Sequence, residues 1–236
     1  MAEHSPPMNS IEGSGHLDER AGAAWLPAVD DSTRLQLMAA LLSRFNHDLR
    51  TPINTVSGWM HLLQHSSDAA RIAHVSSVIS RNVTEQTLLL DEFVDDGRVL
   101  LGTLKPVPAP TTARDVLSAA FERATAVSSL HAVELKTRLP EASQPCNADG
   151  PRWQRLIYRA VAAVVRRAGE GVVVEVEAAS DRNGLAVRAY SGSSHRGWSE
   201  ADLLDLRLAA LHAAAHGGRL ELAGNRTEIA LSLPIV

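Results

Sequence analysis

His47 and Asp48 stand side by side in the run Phe45-Asn46-His47-Asp48-Leu49-Arg50-Thr51-Pro52. An imidazole next to a carboxylate is a nucleophile whose tautomer is fixed and whose ring proton has somewhere to go. Arg50 and Thr51 follow at helical spacings that share the histidine's face, where a guanidinium and a hydroxyl would contact a phosphoryl group. Other groupings are weaker. Ser193-Ser194-His195 lacks the glycine-flanked turn of a nucleophile and reads as a loop. His212 and His216 have the spacing of a metal pair, but no acidic or cysteine third ligand is apparent nearby, so helix-end histidines are expected. Arg166 and Arg167 read either as side chains snorkelling at a helix end or as a contact for an acidic partner, and Gln154, Arg155 and Arg159 carry the same two readings.

The element that must position His47 is a long helix. Leu35, Leu42, Leu49, Val56 and Leu63 recur seven apart and Met38, Phe45, Pro52 and Trp59 interleave with them, which predicts one buried seam with His47 opposite it. Asp31 and Ser32 offer N-caps, and the helix should run to about residue 65. Pro52 removes a backbone donor and should kink it just after the histidine. After a short turn at Ser66-Ser67-Asp68, a second helix carries Ile72, Val75, Ile79, Leu89 and Phe93 on its seam, interrupted by Asn82 and Gln86. Two antiparallel helices alone bury too little, so two hairpins pairing as a four-helix bundle predict a homodimer.

These residues carry a resemblance. The run from Phe45 through Pro52, with Gly58-Trp59-Met60-His61-Leu62-Leu63 behind it, resembles the phosphoacceptor box of bacterial sensor histidine kinases. The likeness continues through Arg81-Asn82-Val83-Thr84-Glu85-Gln86 and Leu90-Asp91-Glu92-Phe93-Val94-Asp95-Asp96 to Leu104, the place of the family's second dimerisation helix. It implies that His47 is the phosphoacceptor, that Asp48 orients it and manages its proton, and that Thr51 places a water for dephosphorylating a receiver. Arg50 would steady the phosphoryl oxygens. A response-regulator receiver domain would dock across His47, Arg50 and Asn54.

The rest of the chain reads as a second domain. Residues 1–30 mix Gly, Pro, Ser and charge and read as a disordered arm; 31–104 form the dimerisation and phosphoacceptor domain; the prolines of 105–111 read as a linker; and 112–236 form an α/β domain. Within it the patterns predict a helix at 114–127, a strand at 133–139, a helix at 152–167, strands at 172–178 and 185–190, a helix at 200–216, and strands at 220–222 and 228–233. The fold class expected is therefore α+β: an antiparallel helical hairpin in a dimeric four-helix bundle, then an α/β sandwich with one mixed sheet covered on one side. That order, and the ending His216-Gly217-Gly218-Arg219-Leu220 with a loop at Gly224, resembles the ATP-binding domain of the same kinases. Net charge of −4 and a pI near 6.2 give no basic face for nucleic acid. Cys146 is the single cysteine, which excludes an internal disulfide and a cysteine-rich metal site. No run has transmembrane length and no signal peptide is visible, so a cytoplasmic protein is expected.

The resemblance breaks where the family handles nucleotide. Aligned on Asp149 and Arg152, the chain has Arg159 and Ala163 where the family has two asparagines, the second its magnesium ligand. The adenine-reading aspartate falls at Ala189 or Tyr190, and only Gly192 of the first glycine box survives. Leu203-Leu204-Asp205-Leu206-Arg207 stands where the phosphate glycines belong, and the lid is cut to about 195–199. No intrinsic cofactor and no metal site are therefore expected, with magnesium brought by the receiver. The chain reads as a protein that passes a phosphoryl group between receiver aspartates through His47, similar to dimeric histidine phosphotransferases. The alternatives are an ATP-dependent kinase with a diverged pocket and a pseudokinase scaffold that only binds a receiver.

Overall fold

A computed structural model describes residues 30–64, 68–140, 145–181, 184–192, 197–222 and 228–235. The expectations for residues 1–29, for Ser66-Ser67, for Ser193-Ser194-His195 and for Gly224 lie outside the described residues, as does part of the shortened lid. Two long helices, α1 (Asp31–Gln64) and α2 (Ala69–Leu100), form the hairpin. Asp30, one residue ahead of the expected caps, closes the start of α1 by accepting from the Thr33 amide at 2.6 Å. Asp68 caps α2 through the Ala70 amide at 3.0 Å. α1 continues through Pro52, whose missing N–H leaves the Asp48 carbonyl without its usual acceptance one turn on.

The hairpin seam differs from the expectation at both ends, and near the turn Ile72 of α2 is exposed, at 39%. Phe45 stacks on Phe93 with ring centroids 3.9 Å apart, and Leu49, Pro52, Val56 and Trp59 turn away from solvent. Leu35 and Leu42, however, are exposed, at 72% and 50%. Leu37 and Leu41 are buried in their place, packing with Leu100 against Leu204 and Leu208 of the second domain. The first turns of α1 thus serve a neighbour that no repeat within the hairpin reveals. Asn82 is half-buried and donates to the Val78 carbonyl of its own helix at 2.9 Å.

The remaining elements are β1 (Ala109–Thr112), α3 (Ala113–Leu130), β2 (Glu134–Arg138), β3 (Pro145–Ala148), α4 (Gly150–Ala168), β4 (Val173–Ser180), β5 (Gly184–Ser191), α5 (Glu200–Ala215), β6 (Arg219–Leu222) and β7 (Glu228–Pro234). Five strands form one mixed sheet in the order β2-β4-β5-β7-β6, with β2 and β4 parallel and the other pairs antiparallel. Buried and half-buried residues alternate strictly along β5 and β7, so one face of the sheet is covered by helices. Phe121 of α3, Trp153, Leu156 and Ile157 of α4 and Leu206 of α5 fill that core against Val174, Val187 and Leu231. The fold is a helical hairpin followed by an α/β unit.

Two strands were not expected. The proline-rich stretch ends in β1, which pairs antiparallel with β3 as a separate two-stranded sheet. Prolines at 110 and 145 withhold ladder donors, and such a sequence makes only a short edge pair with no periodic signal. The Gly217-Gly218 pair has a steric reason. Gly217 holds φ +75°, and a Cβ on Gly218 would meet the Ser232 carbonyl of β7 at 2.2 Å.

Candidate functional site

His47 projects from the middle of α1 with its side chain 84% exposed. Its Nδ1 lies 3.2 Å from Asp48 Oδ1. A carboxylate can only accept, so this contact places the ring proton on Nδ1 and leaves the Nε2 lone pair directed at solvent. Arg50, Thr51 and Asn54 are exposed on the same helix, and the Thr51 carbonyl accepts from the Thr55 hydroxyl at 3.0 Å. The structure therefore brings together the nucleophile, its carboxylate and open side chains one to two turns on. It can present the imidazole to a group delivered from outside.

Asp48 also borders a cleft of about 210 Å³ between the hairpin and the second domain, lined by Leu41, Arg44, Phe45, Arg159 and Asp205. Of the residues expected at nucleotide positions, Arg159 and Asp205 line this cleft, in quite different roles. Arg159, buried to 8% exposure, donates twice to Asp96 of α2, at 2.6 and 2.8 Å. Asp205 accepts from Arg44 of α1 at 2.5 Å and from Arg166 of α4 at 2.8 Å. Arg166 also donates to Asp202 at 2.6 Å, and Asp202 closes a capping box with Ser199 at the start of α5. Ala163 is fully buried, Leu203 half-buried, and Tyr190 donates to Glu175 at 2.7 Å, which raises the phenol to about 12.

The histidine pair is spent on structure. His212 donates from Nε2 to Asp96 at 2.9 Å, and His216 Nδ1 reaches the His212 carbonyl at 2.8 Å. Burial lowers the His212 pKa, since a charged ring is disfavoured there despite Asp96 beside it. For Asp96 the balance falls the other way. Burial opposes its charge, yet the His212 hydrogen bond and the Arg159 guanidinium outweigh it and hold the carboxyl at about 2. A second knot lies alongside, where Arg152 donates to Asp95 at 2.9 Å through both Nε and Nη2 and to Asp149 at 2.5 Å, and Arg155 also pairs with Asp95. Arg167 lies over the Trp198 ring, 4.5 Å from its centroid. For Arg155, Arg159 and Arg166, the reading as contacts for an acidic partner is thus met within the chain itself.

Arg44, Glu92, Asp95 and Asp96 were not singled out from the sequence. One signal was present: Asp96 continues the spacing of Ile79, Asn82, Gln86, Leu89 and Phe93, so a carboxylate falls on the buried seam of α2. Such a group requires a cation from elsewhere in the fold. Among the described residues, no helix is long and apolar enough to cross a membrane.

No family model matches the chain. In sequence it is 26% identical over 149 residues to the sensor protein KdpD of Escherichia coli (strain K12), covering 62% of this chain and 16% of that protein. It is 23% identical over 142 residues to the sensor protein GacS of Pseudomonas syringae pv. syringae, covering 59% and 15%. The chain spans about a sixth of the length of these curated relatives. In fold it is similar to full-length ShkA, solved in complex with AMPPNP, with a TM-score of 0.53 and 18% identity over 86% of this chain and 46% of that one. The chain is thus similar in sequence to parts of two bacterial sensor proteins and in fold to ShkA, a likeness that supports a sensor histidine kinase family.

Proposed function

We propose that this chain carries phosphoryl groups between receiver-domain aspartates through His47 and does not draw on ATP of its own. The observation that carries the reading is the use of Arg159 and Asp205, which hold α4 and α5 to the hairpin where the family's alignment would put nucleotide contacts. A cleft bordered by Asp48, Glu92, Asp96 and Asp205 repels a polyphosphate, and its three guanidinium groups are already paired.

In the transfer, the Nε2 lone pair of His47 attacks the phosphorus of a receiver's acyl phosphate in line. The N–P bond forms as the P–O bond to the receiver's aspartate breaks, and the carboxylate leaves. The ring becomes cationic, and Asp48 stabilises it through the Nδ1 proton 3.2 Å away. Magnesium comes with the receiver. Arg50 steadies the phosphoryl oxygens, Asn54 contacts the receiver, and Thr51 places a water when the receiver is to be dephosphorylated. The reverse step passes the group to a second receiver. The working form is a homodimer inside the cytoplasm: Leu42, Ile53, Met60, Val83, Leu88 and Leu90 leave apolar surface open along both helices, which a second hairpin would cover.

The AMPPNP bound by ShkA favours a second reading, an ATP-dependent kinase with a diverged pocket. Two labelling reactions separate the two, with His47→Ala as control. Label reaching His47 from a pre-phosphorylated receiver without nucleotide, and none from ATP with magnesium, is the expected result. Label from ATP alone refutes the proposal, and label from neither source across several receivers leaves a receiver-binding scaffold.

A further inference from the structure

We infer that the second domain is a brace for the phosphoacceptor turn, and that Arg44 and Asp205 are positioning residues for His47. Pro52 deprives the Asp48 carbonyl of its helical hydrogen bond, so the turn after His47 is held more weakly than an ordinary helix interior. The turn before it is held from outside instead. Arg44, three residues ahead of the histidine, reaches across to Asp205 at 2.5 Å and lies 3.7 Å from Asp96. Asp205 is itself fixed by Arg166, and Asp96 by Arg159 and His212. Beneath this charge network Leu37 and Leu41 pack on Leu204 and Leu208, and Phe45 stacks on Phe93. Besides the packing of α1 on Phe93 and Leu100 of α2, the turn thus draws support from residues more than a hundred positions along the chain and from partners they fix. Asp48 shares its cleft with Arg44, so a shift of Arg44 moves the wall beside the carboxylate that sets the His47 tautomer. The proposal rests on His47 being the acceptor.

The test uses the full chain and two near-isosteric variants, Arg44→Gln and Asp205→Asn, with Glu221→Gln in the Arg219 pair of β6 as control. Asp205→Asn is the diagnostic one, because Asp205 lies in α5 and its hydrogen bond to α1 runs to Arg44. Hydrogen exchange of amides 45–51 should quicken about tenfold in each variant and not in the control, as losing a charge-assisted anchor raises local opening. The maximal rate of transfer from a pre-phosphorylated receiver should fall by a similar factor, while the receiver concentration giving half that rate stays the same. Arg44→Lys, which keeps the charge, should restore most of the rate. Unchanged exchange in both variants overturns the brace, and so does a loss confined to receiver affinity. The exchange arm needs no phosphoryl chemistry, so it still decides the question if wild type takes no label, which would refute the transfer reading alone.

Discussion

Asp96→Asn is the substitution that most sharply tests how the two parts are joined. Asp96 is 1% exposed, and its two oxygens accept from Arg159 at 2.6 and 2.8 Å and from His212 at 2.9 Å. An asparagine keeps one acceptor and turns an N–H₂ toward a donor. Arg159 is then left as a buried cation whose nearest remaining carboxylate is Glu92, at 3.6 Å. Removing one partner of a buried pair typically costs about 3–5 kcal/mol, and the residual Glu92 contact argues for the lower end. For a chain of this size about 3 kcal/mol lowers a thermal midpoint by about 6–12 °C. The companion variant replaces both charges, Asp96→Leu with Arg159→Met. It removes two desolvated groups together and should cost clearly less than Asp96→Asn. Circular dichroism melts of wild type and both variants decide the matter. A midpoint for Asp96→Asn within about 2 °C of wild type would refute the reasoning, since no buried counterion could then be at stake.

Two further outcomes follow from the same geometry. Because burial sets the His212 pKa below its ordinary 6.5, the unfolded chain takes up a proton there before the folded one does. Stability from this site is complete above 6.5 and falls as pH drops from there through the lowered value, whereas Asp96, held at about 2, keeps its contribution until far lower pH. Melting midpoints should therefore decline as pH falls below about 6.5, and His212→Gln, which can still donate to Asp96, should flatten the decline. At the acceptor face, Arg50→Ala and Asn54→Ala should each slow labelling from a receiver several-fold while moving the melting midpoint by less than about 2 °C, since both side chains are exposed. A large loss of stability in either would count against their being contact residues.

Most of the fold was legible because its signals are local. Strands β5 and β7 of the main sheet alternate, α4 carries helical spacing, and the Gly217-Gly218 pair marks the close approach to β7 that the residue types require. The contact between His47 and Asp48 was legible for the same reason, the two being neighbours on one helix. What escaped is what one part of the chain does for another. Leu35 and Leu42 satisfied a seven-residue repeat yet are exposed, while Leu37 and Leu41 broke it and are buried. Periodicity reports that a face is apolar, and it does not say which of two candidate partners takes it. Here α5 took it, because Leu204 and Leu208 project from the side of that helix away from Leu206, which belongs to the sheet core.

The charges make the same point with more consequence. From the sequence Arg159 stood where an asparagine was expected, with a contact for an acidic partner as one of its two readings, and Asp205 looked like a residue that repels a nucleotide. In the fold they are gains, since a guanidinium at 159 and a carboxylate at 205 complete pairs with Asp96 and Arg44 across 63 and 161 positions of sequence. On the alignment that puts Arg159 and Asp205 at nucleotide positions, nucleotide contact and hairpin contact would compete for the same surface. A guanidinium bound twice to a buried carboxylate is unavailable to a phosphate unless the pair is first broken, at the cost worked out for Asp96. An ATP-using form of this chain would therefore have to open the joint between hairpin and second domain in each cycle. A carrier that receives its phosphoryl group from outside has no such requirement, and for it a closed joint serves to keep His47 where a receiver can reach it.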